Sequence, residues 1–230
     1  MTVAPSRTFA ASRTRTRNVG TRKQRARVLI VSGGKVTEVE YLNYVKSALR
    51  ASGIDIRVDG DGRSPLHLAK KAEKLKAADL KEARNSGDSS NVFDSVWVVS
   101  DVDNFGADLV SAIAACKTSG IETAISNPCF ELWLLLHQKN QSANITTRAI
   151  QSKAEIVGVT VADRSKSISL SKLSGKFEVA SLAATRLRKM HADDRKRHPH
   201  DNPSTTVDLL VKYLIDTANA SSRGKFDHEL

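Results

Sequence analysis

Two carboxylates stand one residue apart at the end of an apolar run, in Val96-Trp97-Val98-Val99-Ser100-Asp101-Val102-Asp103. Alternate side chains of an extended chain point the same way, so Asp101 and Asp103 would share a face and could hold a hard, oxygen-seeking cation such as Mg²⁺ or Mn²⁺. The same acids would also serve simply to end a strand or to cap the helix expected near Gly106. A second group lies earlier, where Ser32-Gly33-Gly34-Lys35 makes a tight turn and Glu38 follows. Backbone N–H groups at Gly33 and Gly34, with the ammonium of Lys35, suit a phosphate, although Glu38 is also accounted for as an acid favouring the helix dipole by about 0.3 to 1 kcal/mol. A third acid, Glu131, interrupts Phe130-Glu131-Leu132-Trp133-Leu134-Leu135-Leu136. A carboxylate in such a segment must find a cation, a metal or hydrogen-bond donors. Together these residues describe a phosphate site with metal ligands beside it.

Placing them at one point demands a particular scaffold. Arg27 to Val31 reads as a strand, and Thr37 with Glu40 has the Thr-x-x-Glu spacing of a capping box, so a helix should begin at Thr37 and stop at Gly53. A second strand, 54–58, precedes the polar loop Asp59-Gly60-Asp61-Gly62. A helix runs from the Ser64 cap and Pro65 to about Arg84. The strand at 95–100, a helix over about 106–118 and a strand at 121–125 complete a β-α alternation that implies a mostly parallel sheet with helices on both faces. Ligands gather at the carboxyl edge of such sheets, where both the glycine turn and the aspartates fall. Asn127-Pro128 should start the next, buried helix. Beyond Thr146 the pattern predicts helices alone, over about 147–157, 176–195 and 204–219, the last capped by Ser204. The expected organisation is α/β: a basic arm at 1–26, a core at 27–140, a helical C-terminal part of the same domain at 141–220, and a tail at 221–230.

Composition narrows the partners. With 40% hydrophobic residues the 230-residue chain can bury a core, and no apolar run reaches the roughly 18 residues of a membrane span. Two cysteines, Cys116 and Cys129, make neither a disulfide framework nor a zinc site, which fits a reducing cytoplasm. The net charge of +11 is concentrated at the start: residues 1–27 hold eight basic residues and no acid. Among them Arg13, Arg15, Arg17, Arg22, Lys23 and Arg25 form an arm too polar to offset the entropy of ordering, suited to displacing counterions from nucleic-acid phosphates. A solubilising tail and an organellar transit peptide have similar compositions. Aromatic content of 5% argues against base stacking as the main mode of recognition.

Other chemistries find less support. The glycine turn lacks the spacing of a P-loop or a dinucleotide fingerprint, and no Ser/His/Asp arrangement is apparent. His191, His198 and His200 lie in a charged stretch that reads as solvated surface. His137 would end the buried helix, where a cation is favoured.

Several segments together resemble the RloB-like proteins, a bacterial group with a Toprim-type core. They are Val28-Leu29-Ile30-Val31-Ser32-Gly33-Gly34-Lys35-Val36-Thr37-Glu38, Val99-Ser100-Asp101-Val102-Asp103, the segment from Ser126 to His137, and Asn202-Pro203-Ser204-Thr205-Thr206-Val207. The resemblance covers about residues 25–215, and its specific part is Asn-Pro-x-Phe-Glu-Leu-Trp. It implies a Toprim-like fold, Mg²⁺-dependent phosphodiester cleavage of DNA or RNA, and a place in anti-phage or abortive-infection defence. It further implies an AAA- or ABC-type ATPase encoded nearby, and leaves a homo-oligomer open. Asp101 and Asp103 would be metal ligands, with Glu38 and Glu131 as further catalytic acids. The resemblance also implies a glutamate at the end of the first strand, where this chain has Gly33. The alternative is therefore a nucleic-acid-binding or regulatory subunit that cuts nothing; against it, two close carboxylates at a phosphate site repel the ligand unless a metal is bound.

Overall fold

The computed structural model describes residues 25–87, 92–102, 105–161, 167–221 and 230. β1 (Arg27–Ser32) shows why its sequence is apolar without alternation: Val28 and Ile30 enter one core, Leu29 and Val31 another. β3 (Ser95–Asp101) divides in the same way, Trp97 and Val99 to the first core, Val96 and Val98 to the second. Strands buried on both faces belong inside a helix-covered parallel sheet.

β1 pairs in parallel with both β2 (Asp55–Gly60) and β3, and β3 pairs in parallel with β4 (Glu122–Asn127). A two-residue strand, β5 (Ser204–Thr205), adds antiparallel to β4 and gives the order β2-β1-β3-β4-β5. The expected α/β architecture is therefore observed, a mostly parallel sheet flanked by helices. α2 (Pro65–Ser86) and α3 (Gly106–Thr118) cover one face. The other is covered by α1 (Thr37–Ala48), the six-residue α4 (Glu131–Leu136), α5 (Thr147–Ile156), α7 (Phe177–Asp193) and α8 (Val207–Ser221), with the short α6 (Leu170–Leu173) alongside.

Local expectations hold where a short signal decides the geometry. Pro65 occupies the first turn of α2 after the Ser64 cap, and Gly53 adopts left-handed backbone at the end of the 3₁₀ turn, Arg50–Ser52, that follows α1. Other expectations are overturned. α1 begins at Thr37 with Val36 as its cap, and the Glu40 carboxylate, expected to reach back in a capping box, instead accepts the Ile168 N–H at 3.0 Å. The buried helix starts at Glu131 rather than Asn127, because Asn127 ends β4, pairs with Ser204 and spends its side-chain amide on Pro199 O and Asp201 Oδ1. The chain after Thr146 is not all helical. Ser204 and Thr205 pair with β4 rather than capping α8, and Thr160 forms an isolated bridge with Ile168.

Aromatic contacts lock α1 to α4. Tyr41 meets Phe130 edge-on at 5.7 Å and Trp133 at 6.1 Å, all three fully or almost fully buried. Each such side chain contributes about 1.5 to 3 kcal/mol through burial. Tyr41 stands three residues after Glu38, and Phe130 immediately precedes Glu131. The cluster thus fixes the relative positions of two acids.

Candidate metal and phosphate site at the carboxyl edge

Asp101 is the last residue of β3, with Oδ1 shielded from solvent. Glu38 lies in the first turn of α1 and Glu131 is the first residue of α4; they are 8% and 9% exposed. These three acids line one cavity of about 330 Å³ with Gly33, Gly34, Lys35, Thr37 and Gln151. A second cavity of about 180 Å³ shares Gly33, Glu38 and Asp101 and extends to Arg63, Ser64 and Phe105. Six of the residues singled out from sequence thus converge: Gly33, Gly34, Lys35, Glu38, Asp101 and Glu131. Asp103 lies outside the described residues, as do Arg13, Arg15, Arg17, Arg22 and Lys23; Arg25 is exposed just before β1.

The glycine turn holds more than a bend. The Gly33 N–H continues the ladder by donating to Val99 O at 2.9 Å, so Gly33 lines the cavity without offering its amide to it. A side chain at position 33 would start toward Leu68 Cδ1, 3.2 Å from its Cβ, on the face covered by α2. Gly34 has a different role: a Cβ there would fall 1.6 Å from Glu38 Oε2, so the carboxylate occupies the space that glycine leaves. Gly62, at φ 70°, similarly leaves room for the stem of Lys35, whose Cε would lie 2.5 Å from a Cβ at that position.

Three contributors escaped sequence reasoning. Gln151 of α5 donates to Glu131 Oε1 at 3.4 Å, and Arg63 and Thr37 line the cavities. Thr37 was read only as a helix start, and nothing in local spacing marks Gln151 or Arg63, because each is delivered from an element whose placement depends on the whole fold. Asp59 and Asp61, a second Asp-x-Asp spacing read as loop, are bound to Lys71 at 2.8 and 3.2 Å. The hydrogen bond from Lys71 holds Asp61 below the usual carboxylate range. This pair is structural, whereas Asp101 faces the cavity.

Among the described residues, no three Asp, Glu, His or Cys side chains form a ready-made ligand set. The donors present are nevertheless oxygen-only, and Mg²⁺ commonly rests on one or two carboxylates, completing its shell with water and substrate phosphate. Glu38 and Asp101, which line both cavities, fit that requirement. The described histidines and cysteines stand apart from it. His137 is not the cation expected at a helix end: it is 3% exposed, and burial pushes its pKa down to about 4. Nor are all three later histidines solvated. His191 is buried against Pro203 O, and His198 binds Asp201 at 2.9 Å, while His200 is exposed. Cys129 is buried, and burial pushes the Cys116 thiol up to about 11, which leaves it unreactive.

A protein-family model described as RloB-like protein matches residues 28–214. The chain belongs to the RloB-like family. No curated protein and no solved structure matches it. The RloB-like match begins in β1 and ends within α8, so it includes every element that delivers a described residue to the two cavities. No helix among the described residues is long and apolar enough to cross a membrane.

Proposed function

We propose that this RloB-like protein is a Toprim-type, divalent-metal-dependent nuclease that cleaves phosphodiester bonds of DNA or RNA in bacterial anti-phage or abortive-infection defence. The observation that carries this reading is the gathering of Asp101, Glu38 and Glu131 around one cavity that also contains the glycine turn and Lys35. Asp101, with Asp103 and Glu38, would hold Mg²⁺ or Mn²⁺. The bound ion would neutralise charge on the scissile phosphate and acidify the attacking water.

The remaining work falls to the chain itself. Lys35 and the amides at the start of α1 draw the phosphate to the cavity, since a helix N-terminus favours an anion. Glu131, kept in place by Gln151 and the Phe130–Tyr41 contact, can accept the proton of the attacking water or return one to the leaving oxygen. The arm residues Arg13, Arg15, Arg17, Arg22, Lys23 and Arg25 hold the nucleic acid in a salt-dependent way. On this reading the protein works in the cytoplasm beside an AAA- or ABC-type ATPase, alone or as a homo-oligomer.

Gly33 supports a second reading, a nucleic-acid-binding or regulatory subunit of an ATPase-containing complex. The family resemblance implies a glutamate at that position, and loss of a catalytic carboxylate can cost orders of magnitude in rate. One experiment separates the two. Purified protein is incubated with plasmid DNA, single-stranded DNA and total tRNA in Mg²⁺ or Mn²⁺, beside the Asp101→Ala/Asp103→Ala variant. Metal-dependent cutting that the variant lacks is expected; no cutting, with or without a neighbouring ATPase, would leave the binding subunit.

A further inference from the structure

α7 ends in an unusual way. The Lys196 N–H donates to His191 O at 2.8 Å and the Arg195 N–H to Ala192 O at 3.0 Å, the paired bonds of a Schellman stop. The residue at the left-handed position of that stop is Arg195, at φ 56°, the one non-glycine residue with positive φ among the described residues. Glycine takes this position at no steric cost, whereas an L side chain there is strained. Arg195 therefore opposes the backbone it terminates, and its side chain needs another explanation.

Its surroundings supply one. Arg195, Lys196, Arg197 and His198 line a cleft of about 590 Å³. Among the described residues Arg195 and Arg197 make no ion pair. Lys196 makes only an exposed pair with Asp194, a kind that contributes little in water. Arg188, which also lines the cleft, is committed to Asp208.

The cleft is anchored to the same sheet edge as the acids. Asn127 donates to Pro199 O at 3.0 Å and to Asp201 Oδ1 at 2.9 Å, and Ser204 Oγ donates to Asp201 Oδ2 at 2.8 Å. Asn127 follows Ser126, the partner of Asp101 across the β3/β4 pair. On the other side, Pro199 lies against the start of α3, its Cγ 3.5 Å from where a Cβ of Gly106 would be.

We infer that the turn Arg195-Lys196-Arg197-His198 is a second contact site for the phosphate backbone of a nucleic acid, holding the strand beside the carboxylates of Asp101 and Glu38. The choice of nucleic acid as the polyanion rests on the nuclease reading. Guanidinium groups suit it, because their planar donors pair two-pronged with phosphate oxygens. The site is distinct from the arm and from the glycine turn, and a strand touching both cleft and cavity would cross the ends of β3 and β4.

Arg195→Gly provides a clean test, since it removes the charge while relieving the backbone. Binding of labelled duplex DNA and single-stranded RNA is measured by fluorescence anisotropy in EDTA, so that nothing is cut, across a salt series. Arg195→Gly/Arg197→Ala should weaken binding about tenfold and lower the log–log salt slope by about 1.8 on the duplex and about 1.4 on the single strand, near 0.9 and 0.7 for each lost phosphate contact. Arg195→Gly alone should melt no lower than the wild type, and Arg195→Lys/Arg197→Lys should recover most of the slope. An unchanged affinity and slope in the double variant overturns the inference. So does equal competition by polyglutamate, which would make the cleft an acidic-peptide site. Wild-type protein that loses binding on substitution yet cuts no substrate would refute the nuclease reading and leave the cleft as a nucleic-acid contact; active protein with unaltered binding would do the reverse.

Discussion

Replacing Gly34 with alanine tests the site without removing any of its acids. The backbone at this position lies outside the left-handed region, and the three atoms nearest to an added Cβ all belong to the Glu38 carboxylate. The new methyl would fall 1.6 Å from Oε2, 1.9 Å from Cδ and 2.1 Å from Oε1. The carboxylate must therefore retreat by about 2 Å to reach van der Waals contact. A misplacement of about 1 Å at a reacting centre can cost about a hundredfold in rate, so Gly34→Ala should slow metal-dependent cleavage by at least about that factor, or about 2.7 kcal/mol in transition-state free energy. Since Glu38 can swing aside, the melting temperature should barely move. The decisive comparison is a double-mutant cycle of single-turnover cleavage rates with Glu38→Ala. Both changes remove the same carboxylate from the same place, so Gly34→Ala/Glu38→Ala should be no slower than Glu38→Ala alone. Wild-type rates in Gly34→Ala, or losses that multiply in the double variant, would refute the assignment of the Gly34 space to a working Glu38.

Glu131→Gln keeps the shape and an oxygen that Gln151 can reach, so it should lower cleavage at least about tenfold while leaving the melting temperature nearly unchanged; a variant that unfolds would make the acid structural. His137 has a folded pKa near 4, below its ordinary 6.5, because burial disfavours the charged ring. The unfolded chain takes up the proton first, so this stability is complete above about pH 6.5 and declines as pH falls toward 4, by about 3 kcal/mol in all. Urea titrations should show His137→Gln with a shallower decline over that window, and identical slopes would exclude His137 as its source. Arg188→Ala should destabilise by about 3 to 5 kcal/mol, since it strands Asp208, which is 2% exposed and held by two guanidinium bonds of 2.6 and 2.8 Å. Calorimetry should register a fall of about 6 to 20 °C, and a loss under about 1 kcal/mol would show that water replaces the pair.

The sheet was readable because each strand carries its own signature. The continuous apolar runs of β1 and β3 follow from burial on both faces, and Pro65 sets the start of α2 by its own stereochemistry. Most of the cavity was readable for the same reason: Glu38, Asp101 and Glu131 sit at the first or last turn of an element, where parallel topology brings ends together. What escaped notice depends on distant partners. β5 is two residues long, too short for any period, and exists because Ser126 and Asn127 are there to pair with it. Glu40 looked like a cap because Ile168, 128 residues away, leaves no trace near it. The stop at Arg195 was hidden because glycine is its usual marker, and the helix accordingly read on by two residues.

The pairing of β4 with β5 also sets a timetable. A chain emerging from the ribosome exposes the edge of β4 from residue 127 until residues 204 and 205 follow, and at about 5 to 20 residues per second that interval lasts on the order of 4 to 16 s. During it the strand beside Asp101 has an open hydrogen-bonding edge, and the loop that tethers Asn127 has not been made. Glu38 and Asp101 are thus synthesised long before the last strand of their sheet, and the sheet is completed late.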